Sequence, residues 1–267
     1  FMRNWDSLAN NDYLGNPTLD LEACSQELDY NDAVDVANKL GLPLVRIDFV
    51  EEYWDNVFSV FLEETEKGNT PNPDILCNRY IKFDAFFKHA KSLGFDTLAT
   101  GHYAKIVEVD GVKRLAKASD NNKDQSYFLG QVSLDALQHT LFPLQNITKS
   151  EVRAIADKLG LSIAKKKDST GICFIGERQY REFLSNYLSK TEGNIVDIET
   201  QTIVGKHQGV MYYTIGQRHG LNISAFKGPY FVCGKNKDTN TVYVCVGQEN
   251  PWLMSDACLV DRVNWYT

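Results

Sequence analysis

The chain has 267 residues, of which 43% are hydrophobic and 12% aromatic, enough apolar material for a packed core and too much for a disordered chain. No apolar run approaches the roughly 18 residues that span a bilayer, and Phe1-Met2-Arg3-Asn4-Trp5 does not read as a signal peptide. The formal net charge of −7 argues only mildly against a nucleic-acid partner, because binding answers to a local basic face.

The first half alternates helix-like and strand-like segments. Asp29 to Leu40 predicts a helix closed by Gly41, with Ala33, Val34, Ala37 and Leu40 on one face. Leu44 to Phe49 reads as a strand. Glu52 to Lys67 predicts a second helix, apolar at Val57, Phe58, Phe61 and Leu62 and ended by Gly68. A proline-rich break, Thr70-Pro71-Asn72-Pro73-Asp74, precedes a helix from Ile75 to Leu93, stopped by Gly94. Thr97 to Thr100 is a short strand running into Gly101-His102. This alternation predicts an α/β fold, a parallel sheet flanked by helices on both faces. Ligands of such sheets sit at the carboxyl ends of the strands, where Gly101 and His102 fall.

Thr148-Lys149-Ser150-Glu151 is a capping box, so a helix is expected from there to Leu159, with Gly160 after it. Lys165 to Gly171 reads as a loop. Beyond about residue 190 helical spacing fades. Tyr230 to Cys233 and Thr241 to Val246 look like strands joined by the turn Asp238-Thr239-Asn240, which predicts a smaller β-rich region. No internal repeat is visible.

Six cysteines are present, none paired as CxxC, which gives a zinc ribbon or thioredoxin-type site no support. They are too sparse for a secreted disulfide scaffold, so mostly free thiols in a reducing compartment are expected. Two of them sit in chemically suggestive surroundings. Cys77 follows Pro71-Asn72-Pro73-Asp74, which stiffens the entry to a helix. Asp74 and Cys77 share a face if the helix has begun, and a thiol in the first turn is acidified by the helix dipole. Judged by position alone, the same residues read more readily as an N-cap and a small core side chain. Cys173 lies between the basic run Lys165-Lys166-Lys167 and Arg178, where cations favour a thiolate or persulfide anion and suit a phosphate backbone. A solvated charge run beside a buried thiol fits that string too. Asp120 to Tyr127 crowds polar groups at a turn, and a single His102 after Gly101 fits a structural role as well as a catalytic one.

The strings FMRNWDS, EYWDNVFSVFL, TPNPDILCNRYIKF, ATGHYAK, NKDQSYFLGQ, AKKKDSTGICFIGER, REFLSNYL and MYYTIGQRHGL occur in this order and resemble the tRNA-specific 2-thiouridylase family over nearly the whole chain. The resemblance implies an ATP-pyrophosphatase-type (adenine nucleotide alpha-hydrolase-like) domain over 1–165, a cysteine loop and central tRNA-binding domain over 166–236, and the start of a C-terminal, partial β-barrel over 237–267. It implies ATP-dependent adenylation, with Mg2+, of the wobble uridine C2 oxygen and its replacement by sulfur from a persulfide. Cys173 matches the persulfide-carrying cysteine, Cys77 its partner and Asp74 an acid/base beside the target base. Asn72, Pro73 and Asp74 match base-contacting positions. His102, Lys123, Asp124 and Gln125 match tRNA-contacting ones, and Met2 and Gly101 match ATP-contacting ones. The partners implied are tRNA and a persulfide sulfur donor protein, with no membrane, in the cytoplasm or, for a eukaryotic relative, the mitochondrion.

The family's phosphate-cradling loop of SGGxDS type is not among these residues, and the barrel reads as incomplete. A truncated or partly ordered chain that binds ATP poorly is the expectation. Two other readings keep a place: a non-catalytic tRNA-binding fragment, and another synthetase of the same nucleotide-binding fold that needs no cysteine pair.

Overall fold

A computed structural model describes residues 1–13, 16, 25–167, 172, 175, 180–224, 227–261 and 263–266. Cys173 and most of the segment around it lie outside the described residues. By its contacts the chain divides into two units. Unit 1 is Phe1–Ser59, Asn72–Gln179 and Asn264–Thr267; unit 2 is Val60–Pro71 and Tyr180–Val263.

Unit 1 opens with strand β1 (Met2–Arg3), then a helix over Ser25–Leu40, then β2 (Ile47–Asp48), which pairs in parallel with β1. The strand expected over Leu44–Phe49 shrinks to two residues. Its partner offers only Met2 and Arg3, and Val45 is left 64% exposed. Residues 50–58 are helical, and their turn Trp54–Phe58 is π-helical. Trp5 meets it, edge-on to Phe58 with ring centroids 4.8 Å apart. A second run covers 73–92, π-helical over Cys77–Ala85. Such i→i+5 segments are rare and concentrate at functional sites. Gly94 closes this helix at φ +88°, a left-handed turn that a residue with a Cβ resists.

Beyond it lie β3 (Leu98–Ala99), the hairpin β4 (Ala104–Val109) and β5 (Val112–Lys117), and β6 (Thr140–Leu141), which pairs in parallel with β3. The single parallel sheet expected from the sequence is therefore two separate two-stranded parallel pairs among the described residues. The capping box is present: Thr148 and Glu151 cap each other at the head of the Lys149–Lys158 helix. The main core joins the 73–92 helix to this second half through Phe83, Phe87, Leu98, Leu129, Leu137 and Phe142.

Unit 2 carries strands β7 (Gly193–Asp197), β8 (Ile203–His207), β9 (Tyr230–Asn236) and β10 (Thr241–Val246), in the order β8-β7-β10-β9. Only β7 and β10 run parallel. The sheet is open among the described residues, with Ile195, Val232, Val242 and Val244 fully buried. The turn expected at Asp238–Asn240 links β9 to β10, with Asn240 at φ +46°.

Leu129 is fully buried at the centre of the unit 1 core. Replacing it with Ala is expected to cost about 2–5 kcal/mol in urea unfolding followed at unit 1 tryptophans, and a loss under about 1 kcal/mol would contradict this placement.

Candidate functional site

The cysteine helix starts one residue pair earlier than the sequence predicts. Asn72 is the N-cap: its backbone is extended (φ −109°, ψ 99°), its side chain accepts a 3.0 Å hydrogen bond from the Asp74 N–H, and Pro73 follows at the first helical position. The capping role that the sequence alone allows for Asp74 thus belongs to Asn72. The earlier start also moves Cys77 out of the first turn. Its N–H donates to the Pro73 carbonyl instead of standing free, and the residue is 4% exposed.

Asp74 stays half-buried, and that burial pushes its carboxyl above the usual aspartate range, opposed by the positive charge of Lys82. Burial thus eases protonation of this carboxyl, a shift in the direction that general acid–base work calls for. The same shift means the fold is more comfortable with Asp74 protonated and loses that contribution as pH rises.

Asn78, next to Cys77, is 2% exposed and donates from Nδ2 to the carbonyl of Phe128 at 2.9 Å. That carbonyl belongs to the turn Ser126–Leu129, which directly follows Lys123-Asp124-Gln125. Gln125 is fastened in turn to Tyr103: its N–H donates to the Tyr103 carbonyl at 2.8 Å and its Oε1 accepts from the Tyr103 N–H at 2.9 Å. Asp124 spends its carboxylate on the Ala118 N–H at 3.0 Å and the Ser126 hydroxyl at 2.7 Å. Lys123 is exposed. The structure therefore brings together Asn72, Pro73, Asp74, Cys77, His102 and Lys123–Gln125 in one unit. Asn78, which sequence reading passed over, is the link. Its only signal there was adjacency to Cys77.

His102 is 9% exposed, with its ring 5.9 Å from Phe83 and 6.2 Å from Phe142, and Nδ1 lies 2.9 Å from the Thr100 hydroxyl. Burial, helped by the like charge of Lys82, pushes its pKa down to about 3. At neutral pH the imidazole is uncharged, so it offers hydrogen bonds and no cation.

Met2 and Gly101 belong to different strand pairs, β1–β2 and the end of β3. At Gly101 a Cβ would meet nothing within 4 Å, so open space faces the backbone at a strand's carboxyl end. That suits close approach of a nucleotide base or ribose. Among the described residues, no group of three or more His, Cys, Asp or Glu gathers to hold a metal. Magnesium that accompanies ATP is held largely by phosphate oxygens, so it needs no such cage. Within unit 2 a separate cleft of about 350 Å³ is lined by Arg181, Lys190, Lys206, His207 and Tyr213 among others. Arg181 is fixed there 4.6 Å over the Tyr213 ring and donates to the Gly220 carbonyl at 2.8 Å.

The buried His102 has a pH consequence. Unfolded, the imidazole takes a proton near 6.5; folded, it resists until about 3. The unfolded chain therefore binds more protons in that window, and stability falls as pH drops from 6.5 towards 3. A His102→Gln variant should show a shallower fall than the unsubstituted protein in urea unfolding across that range. Parallel curves would contradict the assignment.

Two family models match the chain: a tRNA methyl transferase HUP domain over residues 1–177 and a tRNA methyl transferase PRC-barrel domain over 181–246. Among similar curated proteins is the tRNA-specific 2-thiouridylase MnmA of Mesoplasma florum, 54% identical over 99% of this chain and 72% of the relative. The proteins of the same name from Mycoplasmopsis synoviae and Acholeplasma laidlawii are 55% and 52% identical, over 100% and 99% of this chain and 71% of each relative. No described helix is long and apolar enough to cross a membrane. With one model spanning most of the chain and relatives above half identity along its length, the chain belongs to the family of the tRNA-specific 2-thiouridylases MnmA.

Proposed function

We propose that this protein is a tRNA-uridine 2-sulfurtransferase whose reaction runs at the Cys77 helix of unit 1. The observation that carries this reading is the Asn78 hydrogen bond to Phe128, which ties the helix bearing Asp74 and Cys77 to the segment bearing Lys123–Gln125. It keeps in one register a half-buried carboxyl, a buried thiol and an exposed lysine, the groups that acid–base work, sulfur chemistry and a phosphate call for. The family models are described by methyl transfer and the relatives by thiolation. Two cysteines, one of them flanked by the basic run Lys165–Lys167, fit the delivery of sulfur.

A uridine C2 oxygen is a poor leaving group, and ATP supplies the chemistry that converts it to departing AMP. Gly101 and Met2 would hold the nucleotide, at the β3 end and in β1. Asn72, Pro73 and Asp74 would meet the target base, with Asp74 moving a proton at the oxygen or at N3. His102 would act as an uncharged hydrogen-bonding group. Cys173 would carry the transferable sulfur as a persulfide, the nucleophile that attacks C2. Delivery requires the S–S bond to break, and attack by the Cys77 thiolate on the Cys173 sulfur does this, leaving a Cys77–Cys173 disulfide for an external dithiol to reduce. A persulfide donor protein recharges Cys173. The three-part division 1–165, 166–236 and 237–267 and a cytoplasmic location go with this reading.

The test is nucleoside mass spectrometry of tRNA from bacteria lacking the gene, complemented with the full-length protein or its variants. The unsubstituted protein should restore 2-thiouridine, and Cys77→Ser and Cys173→Ser should each lower it by roughly 100-fold or more. Normal 2-thiouridine with either variant would refute the mechanism.

A further inference from the structure

We infer that Tyr127 is a stacking platform for an unpaired nucleobase in the tRNA loop that presents the target uridine. This rests on the sulfurtransferase reading and adds a contact to it.

Tyr127 lies on the short 3-10 turn Ser126–Leu129. With three residues per turn, Ser126 and Leu129 share the inner side, Ser126 bonded to Asp124 and Leu129 fully buried in the core. Tyr127 points the other way and is 69% exposed. Its hydroxyl has no hydrogen bond among the described residues. The turn beneath it is held on two sides, by Asn78 at Phe128 and by Gln125 at Tyr103. Phe128 meets the tyrosine edge-on, with ring centroids 5.4 Å apart. A large aromatic face is thus presented to solvent from a fixed backbone, one residue from the carbonyl that binds the neighbour of Cys77.

The charges around it fit RNA. Lys123 is exposed on the same segment. Arg79, two residues past Cys77, is also exposed; its guanidinium sits 4.9 Å over the Tyr80 ring and Nη1 reaches Gln131 at 3.3 Å. An exposed ring on the Lys123 segment, with a second exposed cation on the Cys77 helix, offers the two kinds of contact a single-stranded nucleic acid requires: phosphates for the cations, an unstacked base for the ring. Stacking tolerates any base, so this contact adds affinity and places the loop without choosing its sequence.

The test measures tRNA affinity of the full-length protein by fluorescence anisotropy, with thiolation assayed on the same samples. Tyr127→Phe keeps the ring and should hold Kd within about twofold, while Tyr127→Ala should weaken it roughly tenfold or more. The salt dependence of binding should be unchanged in Tyr127→Ala and shallower by about one phosphate contact in Arg79→Ala. The melting temperature should not move, because the side chain is exposed. Equal tRNA binding by Tyr127→Ala and the unsubstituted protein overturns this inference alone. So does an equal loss in Tyr127→Phe, which would assign the contact to the hydroxyl. Intact tRNA affinity with slower thiolation from a protein persulfide donor also overturns it and places the sulfur donor on the ring. An unsubstituted protein that binds no tRNA overturns the sulfurtransferase reading, and this inference with it.

Discussion

Asn78 donates from a side chain 2% exposed to the carbonyl of Phe128, and this hydrogen bond sets the polar register between the cysteine helix and a turn that Phe83, Phe87 and Leu129 already pack together. Because the partner is a carbonyl, the amide must face it with its nitrogen. Its Oδ1 is then left buried with no partner among the described residues. An unpaired buried acceptor costs about 1–3 kcal/mol. A leucine of similar size would avoid that cost but could not hold the turn. The carboxamide fixes the register between a helix and a loop fifty residues further along the chain.

Other residues of the site carry the same kind of burden. Burial opposes the charge of Asp74 and the protonation of His102. Perturbed groups gathered in one place mark functional sites more often than structural ones. The stability they forgo is made up in the Phe83–Leu129–Phe142 core directly behind them, which holds His102 between two rings. Gln125 extends the same logic. Both its backbone and its side chain are spent on Tyr103, so the segment that presents Lys123 and Tyr127 cannot drift from the strand end at Gly101.

Local signals in the sequence were legible and distant ones were not. The capping box at Thr148 and Glu151 depends on residues three apart and appears as read. The helix ends at Gly94 and Gly160 follow from backbone freedom at single positions. The β4–β5 hairpin was missed although its Asp110-Gly111 turn, both residues at positive φ, is a strong local signal; the flanking lysines and arginine hid the strand alternation. The strand pairs β1–β2 and β3–β6 are two residues long because pairing is decided by partners 45 and 42 residues away, which pattern cannot see. The burial of His102 depends on Phe83 and Phe142, far from the polar string Thr100-Gly101-His102. The π-helical stretch at Cys77–Ala85 has no sequence cue that we can name.

The Asn78 bond, set on the Phe83–Leu129 core, holds the cysteine helix and the Lys123–Tyr127 segment in one register. An Asn78→Asp variant keeps the shape but turns an acceptor towards the Phe128 carbonyl. The direct measurement is the rate of Cys77 alkylation in this variant, read by mass spectrometry beside tRNA thiolation. Cys77, 4% exposed in the unsubstituted protein, should be labelled faster in Asn78→Asp while thiolation falls roughly tenfold or more. Unchanged labelling together with unchanged thiolation would contradict it.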